Sequence, residues 1–143
     1  ASTIREIPEN AFDECQDLVS VEFRESCCVV VIGNDAFNRC GLLEHVKFPS
    51  TIKEIGDGAF QRCTSLLTVE LPEGLERIGY GAFEHCTSLR HVRIPSTVVE
   101  ISESSFEMCC NLTSLELFEG LRSIGSSSFQ GCKSLTKLKL PST

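Results

Sequence analysis

Phenylalanine recurs along this 143-residue chain at an almost constant interval. The six residues of this column are separated by 25, 23, 23, 23 and 23 positions: Phe12, Phe37, Phe60, Phe83, Phe106 and Phe129. A cysteine and a leucine follow in the same register in every copy, beginning with Cys15 and Leu18. A fixed period of this length is the signature of a solenoid, in which each unit stacks on the one before it. The chain therefore predicts six stacked units.

The units divide the chain at approximately 1–23, 24–48, 49–71, 72–94, 95–117 and 118–143. One domain is the expectation for a chain of this length. Solenoids normally end in atypical units with a polar outer face, and neither end of this chain shows one. Ser2 and Thr3 at the start repeat in phase as Ser142 and Thr143 at the end. We therefore expect the chain to be a slice of a longer array.

Each unit contains one short strand signal and one turn signal. In residues 20–23 apolar and polar residues alternate, which predicts a strand with Val21 and Phe23 directed inward. On the other side of the unit, Leu75 and Ile78 are three residues apart, which favours a corner or a tight helical turn over a strand. The predicted architecture has a parallel sheet on the concave face and short turns or 3-10 helices on the opposite wall.

A typical unit has the form C-x-S-L-x-x-V-x-L-P-x-x-L-x-x-I-G-x-x-A-F, and residues 63–83 follow it almost letter for letter. This pattern resembles the BspA-like class of leucine-rich repeats, and the resemblance covers the whole chain. It implies an α/β leucine-rich repeat solenoid with no catalytic motif. Members of this class are mostly surface or secreted adhesion-type proteins of bacteria and microbial eukaryotes, so the resemblance favours such a location. The sequence itself leaves the compartment open.

The cysteine column predicts a buried apolar filler. Its members lie one strand spacing apart, about 4.8 Å, with parallel side chains, whereas zinc requires four converging ligands. Adjacent disulfides are a minor alternative, because the sulfurs would have to turn toward each other. Cys27, Cys28 and Cys110 lie outside the column and are expected to be the accessible thiols.

Composition and motifs exclude several classes of function. Thirteen Lys and Arg residues against twenty Asp and Glu residues leave a net charge of −7, and no basic run follows a nucleic-acid backbone. The longest uncharged apolar stretch, residues 27–33, is too short to insert into a membrane. Gly-rich phosphate-binding motifs are absent, so neither a cofactor nor a small-molecule substrate is expected.

Catalytic and metal sites are not expected either. His45 and His91 fall in one outward column but two layers apart, so they cannot share a metal ion. No histidine is paired in the pattern with an activated nucleophile. The chain is therefore predicted to be non-enzymatic.

Two units depart from the pattern. Residues 24–28 contain two more residues than the equivalent segment elsewhere, which predicts either a bulge at a binding face or a tolerated surface loop. Phe118 replaces the proline found at positions 49, 72, 95 and 141. It is expected either to be exposed as a contact residue or to fold over the rim of the core.

One outward column alternates in charge at every layer: Glu22, Lys47, Glu70, Arg93, Glu116 and Lys139. Opposite charges on neighbouring strands stabilise each other, so this charge column is expected to satisfy itself and to hold the register. A partner is then expected to contact the flanking positions. The candidate partner-binding residues are Glu44, His45, Leu67, Arg90, His91 and Phe118, with Tyr80 on the opposite wall as a further exposed aromatic.

Asn111 begins a glycosylation triplet, which has meaning only if the protein is secreted.

Two functions fit these features. One is a protein-binding module for adhesion or recognition through the strand face. The other is a structural or scaffold subunit of a larger assembly, docked through the opposite wall or an end layer.

Overall fold

The computed structural model describes residues 3–142, which form twelve short strands and no helix. In chain order they are β1 (Glu6–Ile7), β2 (Ser20–Glu22), β3 (Val31–Ile32), β4 (His45–Lys47), β5 (Glu54–Ile55), β6 (Thr68–Glu70), β7 (Arg77–Ile78), β8 (His91–Arg93), β9 (Glu100–Ile101), β10 (Ser114–Glu116), β11 (Ser123–Ile124) and β12 (Lys137–Lys139). Each unit contributes one two-residue strand and one three-residue strand, so the chain builds two walls as it winds.

The strands of each wall are parallel and in register. The two-residue strands form one six-stranded sheet in the order β1-β3-β5-β7-β9-β11, which we call the short-strand wall. The three-residue strands form two three-stranded sheets, β2-β4-β6 and β8-β10-β12, which together make the long-strand face. Equivalent residues of successive units pair, for example Val46 with Val69. The predicted parallel-strand solenoid of about 23 residues per turn is therefore confirmed.

The short-strand wall differs from the sequence prediction. The 3-10 helices proposed for it are not found within residues 3–142, where short turns flank two-residue strands instead. A helix bonds its backbone along its own chain, whereas this wall bonds from layer to layer. The amides of Glu76 and Arg77 both donate to the Lys53 carbonyl in the preceding layer, and Gly79 donates to Ile55. Stacking between units therefore outweighs the local turn tendency of the three-residue spacing.

The core between the walls is a continuous stack of phenylalanine rings. Ring centroids of successive layers are 5.2–5.4 Å apart, and the rings lie within 11° of parallel. The distance between ring centroids is slightly longer than the spacing of about 4.8 Å between paired strands. Phe60, Phe83 and Phe106 are fully buried. No unit could bury such a ring alone, so the layers depend on their neighbours.

The cysteine column fills the core beside this stack. Cys40, Cys63, Cys86 and Cys109 are buried, and each thiol donates a hydrogen bond to a phenylalanine carbonyl of the preceding layer, at 3.2–3.3 Å. All nine cysteines are free thiols. Cys27, Cys28 and Cys110, expected to be accessible, are only half-buried, and Cys15 is the exposed one. Cys15 lies in the first layer that the structure describes.

The two-residue insertion at residues 24–28 does not disturb the walls. β1 and β3 pair across it, with Glu6 opposite Val31, and β2 pairs with β4. The amide of Cys27 donates to the Arg24 carbonyl at 2.8 Å and closes a turn. The insertion is therefore absorbed in a loop, as the second of its two sequence interpretations predicted.

A glycine after the short strand lets successive layers approach closely. A side chain at Gly79 would place its Cβ 2.6 Å from the backbone nitrogen of Asp57 in the preceding layer. We expect Gly79→Ala to lower the free energy of unfolding by about 1–3 kcal/mol, because the layers must separate to admit the methyl group. Urea unfolding monitored by circular dichroism measures this loss.

Gly41→Ala is the matched control for that change. A Cβ at Gly41 would meet nothing nearer than the Thr64 hydroxyl, at 3.9 Å. Its stability should stay within about 0.5 kcal/mol of the parent chain. The fifth unit carries Ser102 at the position equivalent to Gly79, so the variant should fold. Equal stability of the two variants would contradict close layer contact as the reason for glycine.

Candidate partner-binding surface on the long strands

The long strands present their first and third residues to solvent and bury the middle one. In β4, β6 and β8 the burial pattern is exposed, buried, exposed. Val46, Val69 and Val92 point into the core, as the alternation predicted. The charge column therefore lies on the outer surface, parallel to the axis of the solenoid.

The long-strand face is divided at its centre. β6 pairs with β4, and β8 pairs with β10, but β6 and β8 do not pair with each other. The Arg90 amide donates to the Leu67 carbonyl across this boundary at 3.4 Å, whereas the equivalent bond from Thr113 to Arg90 is 2.8 Å. A distance of 3.4 Å is beyond the normal range for a backbone hydrogen bond. The two halves of the face thus separate slightly between the third and fourth units.

An open groove of about 660 Å³ lies over this central boundary. Charged residues of four long strands line it, together with apolar side chains such as Phe48 and Pro72 at its edge. These charged and titratable residues are Lys47, Glu70, His91, Arg93 and Glu116. The groove therefore offers both signs of charge beside an apolar margin.

The charge column satisfies itself only in its second half, so the sequence prediction is only partly right. Glu116 accepts from Lys139 at 2.8 Å and lies 3.8 Å from Arg93. Within residues 3–142, Glu22, Lys47 and Glu70 make no ion pair. Each of these long, flexible side chains can reach several neighbours, so the spacing of the column does not determine which ion pair forms.

Phe118 is half-buried rather than exposed, and a cation covers it. The Arg93 guanidinium carbon lies 4.4 Å from the ring centroid, within the range of a cation–π contact, and the Lys139 ammonium lies at 6.0 Å. Arg93 also reaches Glu73 at 3.5 Å. Phe118 thus anchors Arg93 on the surface, and a partner would meet the ring together with the guanidinium.

The other candidate residues lie on the same face. Glu44 and His45 are exposed neighbours, with 3.7 Å between the carboxylate and the imidazole Nε2. Leu67 is half-buried, and Arg90 and His91 are exposed. The structure brings Leu67, Arg90 and His91 together at the central boundary, whereas Glu44 and His45 lie one layer or more away from it.

The two remaining sequence candidates lie elsewhere. Tyr80 is about half exposed on the short-strand wall. Asn111 is exposed, and its side-chain amide nitrogen donates to the Thr87 carbonyl at 2.7 Å. Attachment of a glycan to that nitrogen would replace one of its two hydrogens and leave one N–H to donate.

A second alternation along the edge of the face was not recognised from the sequence. After the long strand, the turns of successive units carry Ser50, Glu73, Ser96, Glu119 and Ser142. Each glutamate accepts from the serine of the next layer, at 3.0 Å for Ser96 and 2.6 Å for Ser142. In the sequence, this alternation is visible as Ser-Thr in one unit and Glu-Gly in the next, at residues 50–51, 73–74, 96–97 and 119–120. The turn sequence therefore repeats every two units.

Three further properties of residues 3–142 concern metal binding, membrane insertion and thiol reactivity. Within residues 3–142, no group of three His, Cys, Asp or Glu side chains is arranged to hold a metal ion. The same residues contain no helix able to cross a membrane. Burial raises the pKa of the Cys40 and Cys132 thiols to about 11, and it also raises the pKa of Cys86 well above the ordinary value. The core thiols are therefore protonated and unreactive at neutral pH.

Comparisons with known proteins agree with this architecture. The chain matches the family described as BspA type leucine rich repeat region, in six copies, over residues 1–109 and 30–143. No curated protein matches it.

Solved structures similar to this chain include three leucine-rich repeat proteins. A leucine rich repeat protein of T. pallidum is 34% identical, with a TM-score of 0.85 over 97% of this chain. A leucine-rich repeat protein from Bacteroides ovatus is 26% identical, with a TM-score of 0.79 over 96% of this chain. A leucine rich cell surface protein from Faecalibacterium prausnitzii is 24% identical over 100% of this chain, with a TM-score of 0.64, and shows the fold alone. The chain spans 64%, 41% and 31% of these proteins, respectively.

Proposed function

Because this chain belongs to the BspA-type leucine-rich repeat family, we propose that it is a non-enzymatic protein-binding module that contacts its partner through the long-strand face. Leucine-rich repeat modules commonly bind proteins, and recognition or adhesion is the form of binding proposed here. The observation that carries the proposal is a set of exposed, oppositely charged side chains without internal partners. Two of these side chains, Lys47 and Glu70, line the groove.

The short-strand wall is a weaker candidate because the arginine at its centre, Arg77, is already paired. Arg77 donates to both Glu54 and Asp57 at 2.7 Å. On the long-strand face, by contrast, a partner would not first have to break such pairs to reach Glu22, Lys47 or Glu70. Unpaired charges steer the approach of a complementary surface and set its orientation.

Docking of a scaffold subunit through the short-strand wall is the second candidate. Two exposed apolar side chains favour it, Tyr80 and Val99, which are 51% and 47% exposed. Exposed aromatic and branched residues are common at protein interfaces. The two functions differ in which wall is occupied.

Crosslinking of the native full-length protein in its source, followed by mass spectrometry, tests which wall is occupied. We expect crosslinked peptides containing Lys47 or Lys137, on the long-strand face. Crosslinks confined to the short-strand wall or the terminal units, always to the same neighbours, would support the scaffold function instead.

Matched substitutions give the corresponding binding test. Replacing Leu67, Arg90 and Phe118 by alanine should weaken binding of the crosslinked partner at least about ten-fold, because aromatic and arginine anchors carry most interface energy. The control replaces Val99, Arg122 and Tyr80 on the opposite side by alanine, which removes the same kinds of side chain. Biolayer interferometry compares the two, and thermal unfolding verifies that both fold. A larger loss in the control would contradict the proposed function.

A further inference from the structure

We propose that the partner of the long-strand face is a second copy of this chain, related to the first by a two-fold axis that runs parallel to the strands. This inference rests on the proposed function, because it names the partner of the same surface. It follows from the sign pattern of the outward columns and from the charges that remain unpaired.

The sign of the charge column depends on whether a layer is odd or even. Layers are numbered here by their long strands, from β2 in layer 1 to β12 in layer 6. Odd layers carry Glu22, Glu70 and Glu116, and even layers carry Lys47, Arg93 and Lys139. Within each half of the face the strands stack in register, so these side chains form a column in each half. The Arg90 amide, which donates to the Leu67 carbonyl, connects the two halves.

Two such columns can face each other with a two-fold axis in the interface in two simple ways. If the axis runs along the solenoid, each layer faces its own equivalent, and like charges meet in every layer. If the axis runs along the strands, at the centre of the face, layer 1 faces layer 6, layer 2 faces layer 5 and layer 3 faces layer 4. Every odd layer then faces an even one, so opposite charges meet throughout.

The second arrangement supplies partners for the charges that lack them. Glu70 of each copy faces Arg93 of the other, Lys47 faces Glu116, and Glu22 faces Lys139. Glu22, Lys47 and Glu70 make no ion pair within the described chain. The unpaired half of one column therefore meets the half of the other column that carries the complementary signs. In that half, Arg93, Glu116 and Lys139 would share or exchange their internal partners on docking.

The neighbouring column obeys the same rule independently. It alternates hydroxyl and basic side chains: Ser20, His45, Thr68, His91, Ser114 and Lys137. With the axis parallel to the strands, each basic residue faces a hydroxyl, so no two basic residues meet. His91 faces Thr68 beside the axis. An axis along the solenoid that ran over this column would instead place His45, His91 and Lys137 each opposite itself.

The axis coincides with the central boundary of the face. The groove between β6 and β8 lies there, lined by Glu70, His91 and Arg93. Beside the axis, Glu70, His91 and Arg93 of both copies come together. The slight separation of β6 from β8 leaves room for these side chains. The interface is therefore isologous, with the groove at its centre.

Sedimentation velocity of this chain over a range of concentrations tests the proposal. We expect a reversible monomer–dimer equilibrium that shifts toward monomer as NaCl rises from about 0.1 to about 1 M, because the screening length falls from about 10 to about 3 Å. Glu70→Lys and Arg93→Glu should each raise the dissociation constant at least about ten-fold, since each places like charges together at two symmetric contacts.

Mixing the two variants provides the decisive measurement. In a heterodimer of Glu70→Lys with Arg93→Glu, opposite charges face each other at all of these contacts, so the equimolar mixture should dimerise although neither variant does alone. Glu100→Lys and Arg122→Glu, outside the long-strand face, are the controls with the same charge changes, and both should dimerise normally. Circular dichroism verifies that every variant is folded.

Three results would overturn the inference: monomer at all concentrations, open-ended oligomers in place of dimers, or a mixture that stays monomeric. None of them would by itself overturn the proposed function. A monomeric chain whose crosslinked partner is lost on replacing Leu67, Arg90 and Phe118 retains the proposed function with a different partner. If binding to that partner survives those replacements, the proposed function fails as well.

Discussion

Replacing Phe83 by alanine is expected to lower the free energy of unfolding by about 3–5 kcal/mol. The ring is fully buried and lies between Phe60 and Phe106, with centroids 5.4 and 5.2 Å away. Its removal leaves a cavity that cannot collapse, because the layer spacing is held by the two walls. Stability in a solenoid is a sum over units and their interfaces, so one change weakens two interfaces at once.

Phe12→Ala is the matched control for this change. Phe12 is 42% exposed and stacks on one ring, Phe37, at 5.2 Å. The same chemical change there should cost only about 1–2 kcal/mol, because less apolar area returns to water. Urea unfolding followed by circular dichroism and by amide hydrogen exchange measures both losses, and exchange reports whether the array separates at the altered layer. Equal losses of unfolding free energy in the two variants would show that ring stacking between layers is not what stabilises the core.

The second large effect is expected in thiol reactivity. Burial raises the pKa of Cys40 to about 11 from an ordinary value of 9.0, so at pH 8 its thiolate fraction is about 100-fold lower than that of an unperturbed thiol. Cys86 is fully buried as well, and burial raises its pKa well above the ordinary value. Alkylation at pH 8 should therefore modify exposed Cys15 at least about 100-fold faster than Cys40 or Cys86.

Mass spectrometry of the alkylated peptides over time measures these rates one cysteine at a time. In denaturant all nine thiols should react at similar rates, which serves as the control for reagent access. Modification of Cys86 at the rate of Cys15 in the folded chain would contradict a closed core.

The same pKa shifts predict how stability depends on pH. A thiol whose pKa is about 11 when folded and 9.0 when unfolded keeps its proton longer in the folded state, so folding is favoured below pH 9. As pH rises from about 9 to about 11, the unfolded chain loses these protons first and the contribution of Cys40 and Cys132 disappears. The unfolding temperature should fall across this window, and replacing Cys40 by alanine should make the fall less steep.

Much of the fold could be predicted from periodicity alone. The columns of Phe, Cys and Leu predicted the number of layers, and the Val-x-Leu alternation predicted that Val46 and Val69 point inward and pair in register. These predictions succeeded because stacking in register places equivalent residues of successive units on top of one another. An error of one position would have exposed an entire apolar column.

The short-strand wall shows where this reasoning failed. A spacing of three between Leu75 and Ile78 is compatible with a helical turn when one unit is considered alone. The stacked units instead provide carbonyl acceptors in the preceding layer, such as Lys53 and Ile55, and the backbone bonds to them. A local pattern cannot weigh hydrogen bonds offered by another layer.

The candidate surface was predicted in outline but not in its contacts. The sequence indicated an outward column of alternating charge and the flanking residues Leu67, Arg90 and His91. It did not indicate that β6 and β8 separate, nor that Arg93 turns toward Phe118 and Glu73. The separation of β6 from β8 and the conformation of Arg93 determine which charges of the column remain without an ion-pair partner.

By itself, the repeat determined the number of layers, their register and the inward or outward direction of each column, because every unit must bury the same residues against its neighbours. The tertiary structure alone decided that both walls are sheets, where the long-strand face divides and which surface charges pair. Those outcomes depend on differences of less than an ångström between stacked backbones and on the rotamers of long exposed side chains, which a 23-residue period does not constrain.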